Sequence, residues 1–230
     1  PVVETEWETV LGEAKAAGIP VILSDRQMDL SDDSLYTAWV GGNFLKEGQD
    51  SIIWLNDYLK KIGRDQEEIN VVLLQGTIGS SAQVGRSQGI TEGLAKNPNY
   101  KLLAKQTGEF TQAKGQEVME SFLKAYDDID VVFAENDNMA FGAIDAIKAV
   151  GKVPGKDIII ISFDAVHEAF NRMIAGEINC DVECNPLHGP RVAEIIQKLE
   201  ADQSVDKVMY VVEEVFDQFN AEEILPTRKY

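Results

Sequence analysis

Unbroken runs of apolar residues, rather than alternating ones, mark the strands of this chain. The clearest runs lie at residues 131–134 and in the segment 157–164, which contains four consecutive isoleucines. Such runs predict strands that are buried on both faces, as in a parallel sheet covered by helices. A helical stretch ending near residue 150 separates them, so the segment 131–164 predicts a strand, a helix and a second strand.

The same alternation extends over most of the chain. Six further strands are predicted, at residues 19–24, 35–40, 68–74, 100–106, 178–184 and 207–212. Helices are predicted from an N-cap at Thr5 to residue 17, at 44–62, around Arg86, from a cap at Thr111 through 112–125, at 166–176 and at 187–199. The segment 213–230 is predicted to be loosely structured. This order predicts an α/β fold with doubly wound parallel sheets and not a barrel of eight strands.

The distribution of strands predicts two lobes. Five strands fall between residues 68 and 184, which is enough for a small domain, whereas only two precede residue 41 and one follows residue 185. We therefore predict a partial N-terminal lobe from residues 1–42 plus 186–212, and a C-terminal lobe from 43–185 plus 213–230. Part of the first lobe is expected to be missing from this chain.

Charge excludes several classes of partner. The chain has 230 residues, a net charge of −18 and a sequence pI of about 4.4. Nucleic acid and anionic membrane surfaces repel such a protein, so neither is expected as a partner. No apolar run approaches the roughly 20 residues of a membrane span, and no signal peptide is visible, although a mature secreted protein would also lack one.

Cys180 and Cys184 lie four positions apart in one predicted strand. Their Cα atoms would be about 13 Å apart, which is too far for a disulfide. Both are expected to be reduced thiols. Two cysteines and two distant histidines do not predict a zinc site, so no metal and no cofactor is expected.

Polar side chains recur where the predicted strands end, together with one arginine after a Gly- and Ser-rich loop. Carboxyl ends of parallel strands line the crevice in which open α/β sheets bind ligands. A carboxylate accepts and a guanidinium donates hydrogen bonds, and a sugar hydroxyl needs both. An aromatic ring offers a flat surface to a sugar's C–H groups. The predicted ligand-binding residues are Asp25, Arg26, Arg86, Phe110, Asn136, Asp164 and Cys184.

Less specific roles compete with ligand binding at several of these positions. Asp25 and Arg26 could form a surface ion pair, which contributes little to stability. Arg86 could be a solvated helix residue, and Phe110 alone is more typical of a core. Asp137, one position after Asn136, is expected to cap a helix rather than to bind a ligand.

Catalysis is not expected. His167 and His188 are the only histidines, and His167, which could approach the crevice, has no partner acid or thiol at a suitable spacing. His167 is expected to be a solvated residue at a helix end. The loop at residues 76–81 is rich in Gly and Ser but lacks the Lys-Ser/Thr pair of a phosphate-binding P-loop.

Five segments, taken in order, resemble the sugar-binding proteins of bacterial ABC importers, the type I periplasmic binding proteins of the ribose and galactofuranose type. They are residues 17–26, 108–110, 134–139, 142–143 and 162–164. Residues 2–11, 74–79, 115–122 and 154–157 resemble the galactofuranose-binding members in particular. The resemblance covers nearly the whole chain.

This resemblance implies two α/β lobes joined by a three-strand hinge. It places six of the predicted residues at ligand-contacting positions, namely Asp25, Arg26, Arg86, Phe110, Asn136 and Asp164. Cys184 falls where ribose-binding members carry a polar hinge residue, so ribose itself is not expected. Family members also carry about two more βα units before Pro1, roughly 60 residues.

The implied function is that of an extracytoplasmic solute-binding protein. It would capture a monosaccharide, such as galactofuranose, between its lobes and deliver it to the membrane subunits of an ABC importer. The expected location is the periplasm or the extracellular face, with a lipid anchor in a Gram-positive organism. The alternative is the effector-sensing core of a lac-repressor-type regulator, which shares the fold. The net charge and the lack of a helix-turn-helix motif argue against that alternative.

Overall fold

Nine strands form two separate sheets in the computed structural model, which describes residues 1–230. They are β1 (Ile22–Ser24), β2 (Ala38–Gly41), β3 (Ile69–Gln75), β4 (Tyr100–Thr107), β5 (Val131–Ala134), β6 (Ile159–Asp164), β7 (Cys180–Glu183), β8 (Val208–Tyr210) and β9 (Val215–Asp217). The smaller sheet has the order β1-β2-β8 and is parallel throughout. The larger has the order β4-β3-β5-β6-β7-β9 and is parallel except for β9, which runs antiparallel to β7. The predicted α/β class is confirmed.

Eight helices connect or cover these strands. They are α1 (Glu8–Ala16), α2 (Phe44–Lys61), α3 (Ser81–Leu94), α4 (Gln112–Ala125), α5 (Asp137–Ala149), α6 (His167–Ile174), α7 (Gly189–Glu200) and α8 (Ala221–Ile224), with short 3-10 helices at Asp33–Leu35 and Leu225–Thr227. None of the helices has both the length and the apolar character that crossing a membrane requires.

The larger sheet has a hydrophobic core on each face. One contains buried residues of α4, α5 and α6, and the other contains residues of α2 and α3. All four residues of β5 are buried, as its unbroken apolar run predicts. The smaller sheet packs on α7 through a cluster of only four buried residues, which gives it a thinner core than its partner.

The chain passes between the two sheets three times. The first crossing joins β2 to α2 at residues 42–43, the second joins β7 to α7 at 184–188, and the third joins β8 to β9 at 211–214. The predicted domain boundaries lie within or beside these segments. The independence of the two lobes as domains stays a prediction.

Helices α2 and α3 approach each other closely at glycines. A Cβ atom on Gly48 would lie 2.5 Å from the carbonyl oxygen of Arg86, and one on Gly89 would lie 2.6 Å from that of Leu45. At these two glycines the backbone of α2 therefore touches the backbone of α3. This packing places Arg86 of α3 beside the first turn of α2.

Two predictions about the ends of the chain are wrong. Helix α1 begins at Glu8 with Trp7 at its N-cap and no capping side chain, so Thr5 is not the cap. The segment after residue 212 is not loose, because it contains β9 and α8 and ends in a buried ion pair between Arg228 and Glu183 at 2.7 Å. A three-residue strand is too short for its period to be recognised from sequence.

Candidate functional site

All seven predicted site residues line one cavity of about 170 Å³, together with Phe44 and Ala82. Asp25 and Arg26 directly follow β1 of the smaller sheet, whereas the other five come from the larger sheet and its helices. The structure thus brings the seven side chains together between the two sheets. Their role in ligand binding stays a prediction.

Arg86 lies at the centre of this cavity and is only 2% exposed, so the alternative of a solvated helix residue is wrong. Its Nε donates to Glu47 Oε2 at 2.6 Å, its Nη2 donates to Asp164 Oδ1 at 3.2 Å, and its Nη1 donates to the carbonyl oxygen of Glu135. A guanidinium has five N–H donors, so two make no hydrogen bond within the protein.

Glu47 is a site residue that sequence reasoning missed. It lies in the first turn of α2, where an acid ordinarily stabilises the helix N-terminus from a solvated position. Here it is 2% exposed, and burial raises its pKa to about 8 although Arg86 acts in the opposite direction. The only signal in the sequence is the small residue Gly48 beside it, which permits close packing on α3.

Asp164 is held in an unusual backbone conformation at the end of β6. Its φ is 111° and that of Ala165 is 60°, in the region that side-chain-bearing residues rarely adopt. The buried Asp181 and Asp137 stabilise this turn, because their carboxyl oxygens accept from the N–H groups of Ala165 at 3.1 Å and of Val166 at 2.9 Å. Burial raises the pKa of Asp164 as well.

Asn136, and not Asp137, is the N-cap of α5. Asn136 Oδ1 accepts from the N–H of Met139 at 3.0 Å, and its Nδ2 donates to the carbonyl oxygen of Phe110 at 3.2 Å. Asp137 instead accepts from Ser162 Oγ at 2.6 Å inside the protein. The expected capping role of Asp137 is therefore wrong, and Asn136 caps its helix while lining the cavity.

Asp25 and Arg26 do not pair with each other. Arg26 donates to the carbonyl oxygen of Val2 at 3.0 Å, and its guanidinium lies 5.3 Å from the ring centroid of Phe110. The carboxylate of Asp25 has no hydrogen-bond partner in the protein, although its backbone is fixed at φ 69° and its carbonyl oxygen accepts from Trp39 Nε1. The Asp25 carboxylate is thus free to accept from a ligand.

Cys184 borders a second chamber of about 400 Å³ that also shares Asp25 and Asp164 with the first. Cys180 and Cys184 are both free thiols, so the prediction of no disulfide is confirmed. His188 also lines this chamber. It is buried, its Nδ1 lies 3.0 Å from Ser24 Oγ, and sequence reasoning gave it no role. His167 is exposed at the start of α6, as expected.

The cavity offers several donors and several acceptors within a small space. Arg26 and Arg86 donate, Asp25 and Asp164 accept, and Phe110 contributes an aromatic ring. A polyhydroxylated molecule needs this combination, because each of its hydroxyls both donates and accepts.

Residues 1–188 match the family described as periplasmic binding protein domain. The chain is 43% identical over 205 residues to galactofuranose-binding protein YtfQ of Escherichia coli, covering 88% of this chain and 63% of that protein. A crystal structure from Mycobacterium smegmatis in complex with β-D-fucofuranose matches with a TM-score of 0.94 and 44% identity, over 99% of this chain and 74% of that one.

A third relative is the binding protein of the arabinose ABC transporter from Shewanella sp. ANA-3, bound to α- and β-L-arabinofuranose. It matches with a TM-score of 0.91 and 41% identity, over all of this chain and 75% of its own. The chain thus spans less than two thirds of the length of the Escherichia coli protein. Because the family model matches more than half of the chain, the chain belongs to the periplasmic binding protein family.

Proposed function

We propose that this chain is the ligand-binding part of an extracytoplasmic solute-binding protein. It captures a monosaccharide in furanose form, galactofuranose or a closely related sugar, and delivers it to an ABC importer. The observation that carries this proposal is the single cavity lined by Asp25, Arg26, Arg86, Phe110, Asn136, Asp164 and Cys184.

Recognition rests on charge-assisted hydrogen bonds. Each contributes about 1.5–3 kcal/mol net. Four or five of them, after the costs of association, are consistent with binding of roughly −8 kcal/mol, which is micromolar. Because Arg86 is already oriented by Glu47 and Asp164, little side-chain order is lost when a sugar binds.

Lobe closure follows from the origin of these side chains. Asp25 and Arg26 belong to the smaller sheet, whereas Asp164 belongs to the larger one. A sugar that contacts both sides binds the closed form more tightly and shifts the population toward it. The closed form then docks on the membrane subunits of the importer.

The same proposal covers location, catalysis and partners. The protein acts in the periplasm or at the extracellular face, in a lipid-anchored form where the organism is Gram-positive. We infer that it is not an enzyme, because the relatives described above are named for binding a sugar. The net charge of −18 supports a protein that does not bind nucleic acid.

A regulator core of the lac-repressor type is not favoured. The relatives described above are sugar-binding proteins, and one belongs to an arabinose ABC transporter. The fold alone does not distinguish the two functions. The cavity and these relatives are the reasons for preferring the solute-binding protein.

Isothermal titration calorimetry with galactose, fucose, arabinose and ribose tests the proposal, with each concentration corrected for the furanose fraction measured by NMR. We expect heat for at least one furanose and weaker binding of ribose. Asp164→Asn should weaken binding at least tenfold, because it removes the carboxylate that faces Arg86.

The matched control is Asp128→Asn, which changes an exposed aspartate outside the cavity and should leave affinity unchanged. Absence of heat for every sugar in the panel contradicts the proposed function.

A further inference from the structure

Three side chains meet where the chain passes between the sheets, and each comes from a different crossing. Glu47 lies in the first turn of α2 after the first crossing, Cys184 lies in the second, and Glu213 lies in the third. One ligand atom of each residue lies within 4.8 Å of the other two.

Glu47 has an oxygen that the protein leaves unpaired. Its Oε2 accepts from Arg86, but its Oε1 is buried and has no hydrogen-bond partner. A buried acceptor without a partner costs about 1–3 kcal/mol. This atom and Glu213 Oε1 lie around the same point, at 2.7 Å and 2.3 Å from a Cβ atom placed on Gly42, so the cluster contains an acceptor that a bound cation would satisfy.

Glu213 is held in a fixed orientation by the other two crossings. Its Oε1 accepts from the backbone N–H of Asn185 at 3.1 Å, and its Oε2 accepts from the N–H of Asn43 at 3.3 Å. Metal-ligating carboxylates are typically oriented by such outer hydrogen bonds. Each oxygen accepts one bond and keeps further acceptor capacity.

Gly42 leaves the space in which these carboxylates approach each other. A Cβ atom at this position would lie 2.3 Å from Glu213 Oε1 and 2.7 Å from Glu47 Oε1. Both oxygens thus border the same point, and any side chain at residue 42 would displace them.

We propose that Glu47, Cys184 and Glu213 form a three-ligand site for a divalent metal ion of the zinc class. A sulfur ligand disfavours Mg²⁺ and Ca²⁺, which take oxygen ligands, and suits Zn²⁺. Bond lengths of about 2.3 Å to sulfur and about 2.0–2.2 Å to oxygen place tetrahedral ligand atoms roughly 3–4 Å apart. The three ligand atoms of this cluster lie within 4.8 Å of one another.

A divalent ion would offset most of the charge at this site. Two carboxylates and a thiolate carry three negative charges, and a divalent ion offsets two of them. Arg86, bonded to Glu47 at 2.6 Å and to Asp164 at 3.2 Å, offsets part of the third. Three protein ligands leave the fourth position of a tetrahedron for water.

A groove of about 340 Å³ connects the cluster with solvent. Glu47 and Glu213 line it, together with Asn43, Tyr210 and Val212. Val212 is 75% exposed, so the groove is open at that end. An ion can therefore reach the two carboxylates from this groove, whereas Cys184 lines the 170 Å³ cavity.

The test titrates chelator-treated, reduced protein with Zn²⁺ alone by calorimetry, and with Cd²⁺ while following the thiolate-to-cadmium absorption band in the ultraviolet. We expect one ion per chain and a cadmium–thiolate band. Cys184→Ala should abolish that band and weaken Zn²⁺ binding at least tenfold. Glu213→Gln should weaken Zn²⁺ binding without removing the thiolate.

Cys180→Ala is the matched control, because Cys180 is the other free cysteine and lies outside the cluster. It should retain both the band and the affinity. Circular dichroism on each variant identifies any that fails to fold. If Cys184→Ala does not fold, the Zn²⁺ affinity of Glu213→Gln provides the test instead. Absence of Zn²⁺ binding, or binding that Cys184→Ala leaves unchanged in a folded protein, overturns the proposal. No sugar is present, so the result is independent of the proposed function.

Discussion

Arg86 Nη2 donates to Asp164 Oδ1 at 3.2 Å and so joins helix α3 to the end of strand β6. Both side chains line the proposed sugar cavity, and their relative position is set before any ligand arrives. Arg86 is also held by Glu47 from the other side. The position of the Arg86 guanidinium, at the site, therefore depends on helix α3, strand β6 and helix α2.

Arg86→Lys should impair both stability and binding. A lysine keeps the charge but loses the planar fork that serves Glu47, Glu135 and Asp164 together. We expect the free energy of unfolding in urea to fall by roughly 2 kcal/mol and sugar affinity to fall at least tenfold. Arg191→Lys, at an exposed position of α7, is the control and should change neither. Equal values for the two variants would contradict this role.

Asn136 allows its capping role to be separated from its contact with Phe110. Asn136→Ser keeps an oxygen that can accept from Met139, whereas Asn136→Ala removes it. The alanine variant should be about 1 kcal/mol less stable than the serine variant. Both lose the donor to Phe110, so both should weaken sugar binding to a similar extent. Urea unfolding and calorimetry measure the two effects, and an alanine variant as stable as the serine variant would rule out the cap.

The buried Asp181 should make stability fall as the pH rises. Burial, together with the charge of Asp137, raises the pKa of Asp181 well above its usual range. The folded protein therefore holds this proton more tightly than the unfolded chain, which releases it near pH 4. The stabilisation is full below about pH 4 and is lost as the pH rises toward the folded-state pKa.

Asp181→Asn has no proton to lose and can still accept from Ala165. We expect its unfolding free energy to decline less than that of the wild type as the pH rises above about 4. Asp206→Asn, at an exposed position, should follow the wild-type profile. Parallel profiles for Asp181→Asn and the wild type would show that the buried carboxyl does not carry the proton.

The ion pair between Arg228 and Glu183 should contribute more than an exposed pair. Both side chains are less than a tenth exposed, and Arg228 also donates to the carbonyl oxygen of Ala165 at 2.9 Å. Arg228→Ala leaves a buried carboxylate and should cost about 3 kcal/mol. Lys101→Ala breaks the exposed pair with Glu68 and should cost less than about 1 kcal/mol. Thermal or urea unfolding measures both losses of stability. Similar losses for Arg228→Ala and Lys101→Ala would contradict a larger contribution of the buried pair.

The placement of the cavity residues could be predicted because it follows from the strands. Strands β5 and β6 are continuous apolar runs, and their carboxyl ends necessarily meet at one edge of a parallel sheet. Asn136 and Asp164 follow directly from that rule. The rule also locates Asp25 at the end of β1, although that strand belongs to the other sheet.

Other features depend on contacts that a local pattern does not contain. Glu47 is buried because α3 packs on α2 through Gly48 and Gly89, which lie far apart in the chain. Asn136 and Asp137 are both good cap residues, and a shift of one residue in the helix boundary decides between them. Strand β9 forms by pairing with β7, and its three residues carry no recognisable period alone.

The glycine contacts between α2 and α3 have a mechanical consequence. Where two backbones touch, there are no side chains that could change rotamer and let one helix slide along the other. In the proposed closure of the lobes, Glu47 and Arg86, one on each helix, are therefore expected to move together as one rigid body. Any motion that opens the cleft must be absorbed elsewhere, in the short segments that link the two sheets.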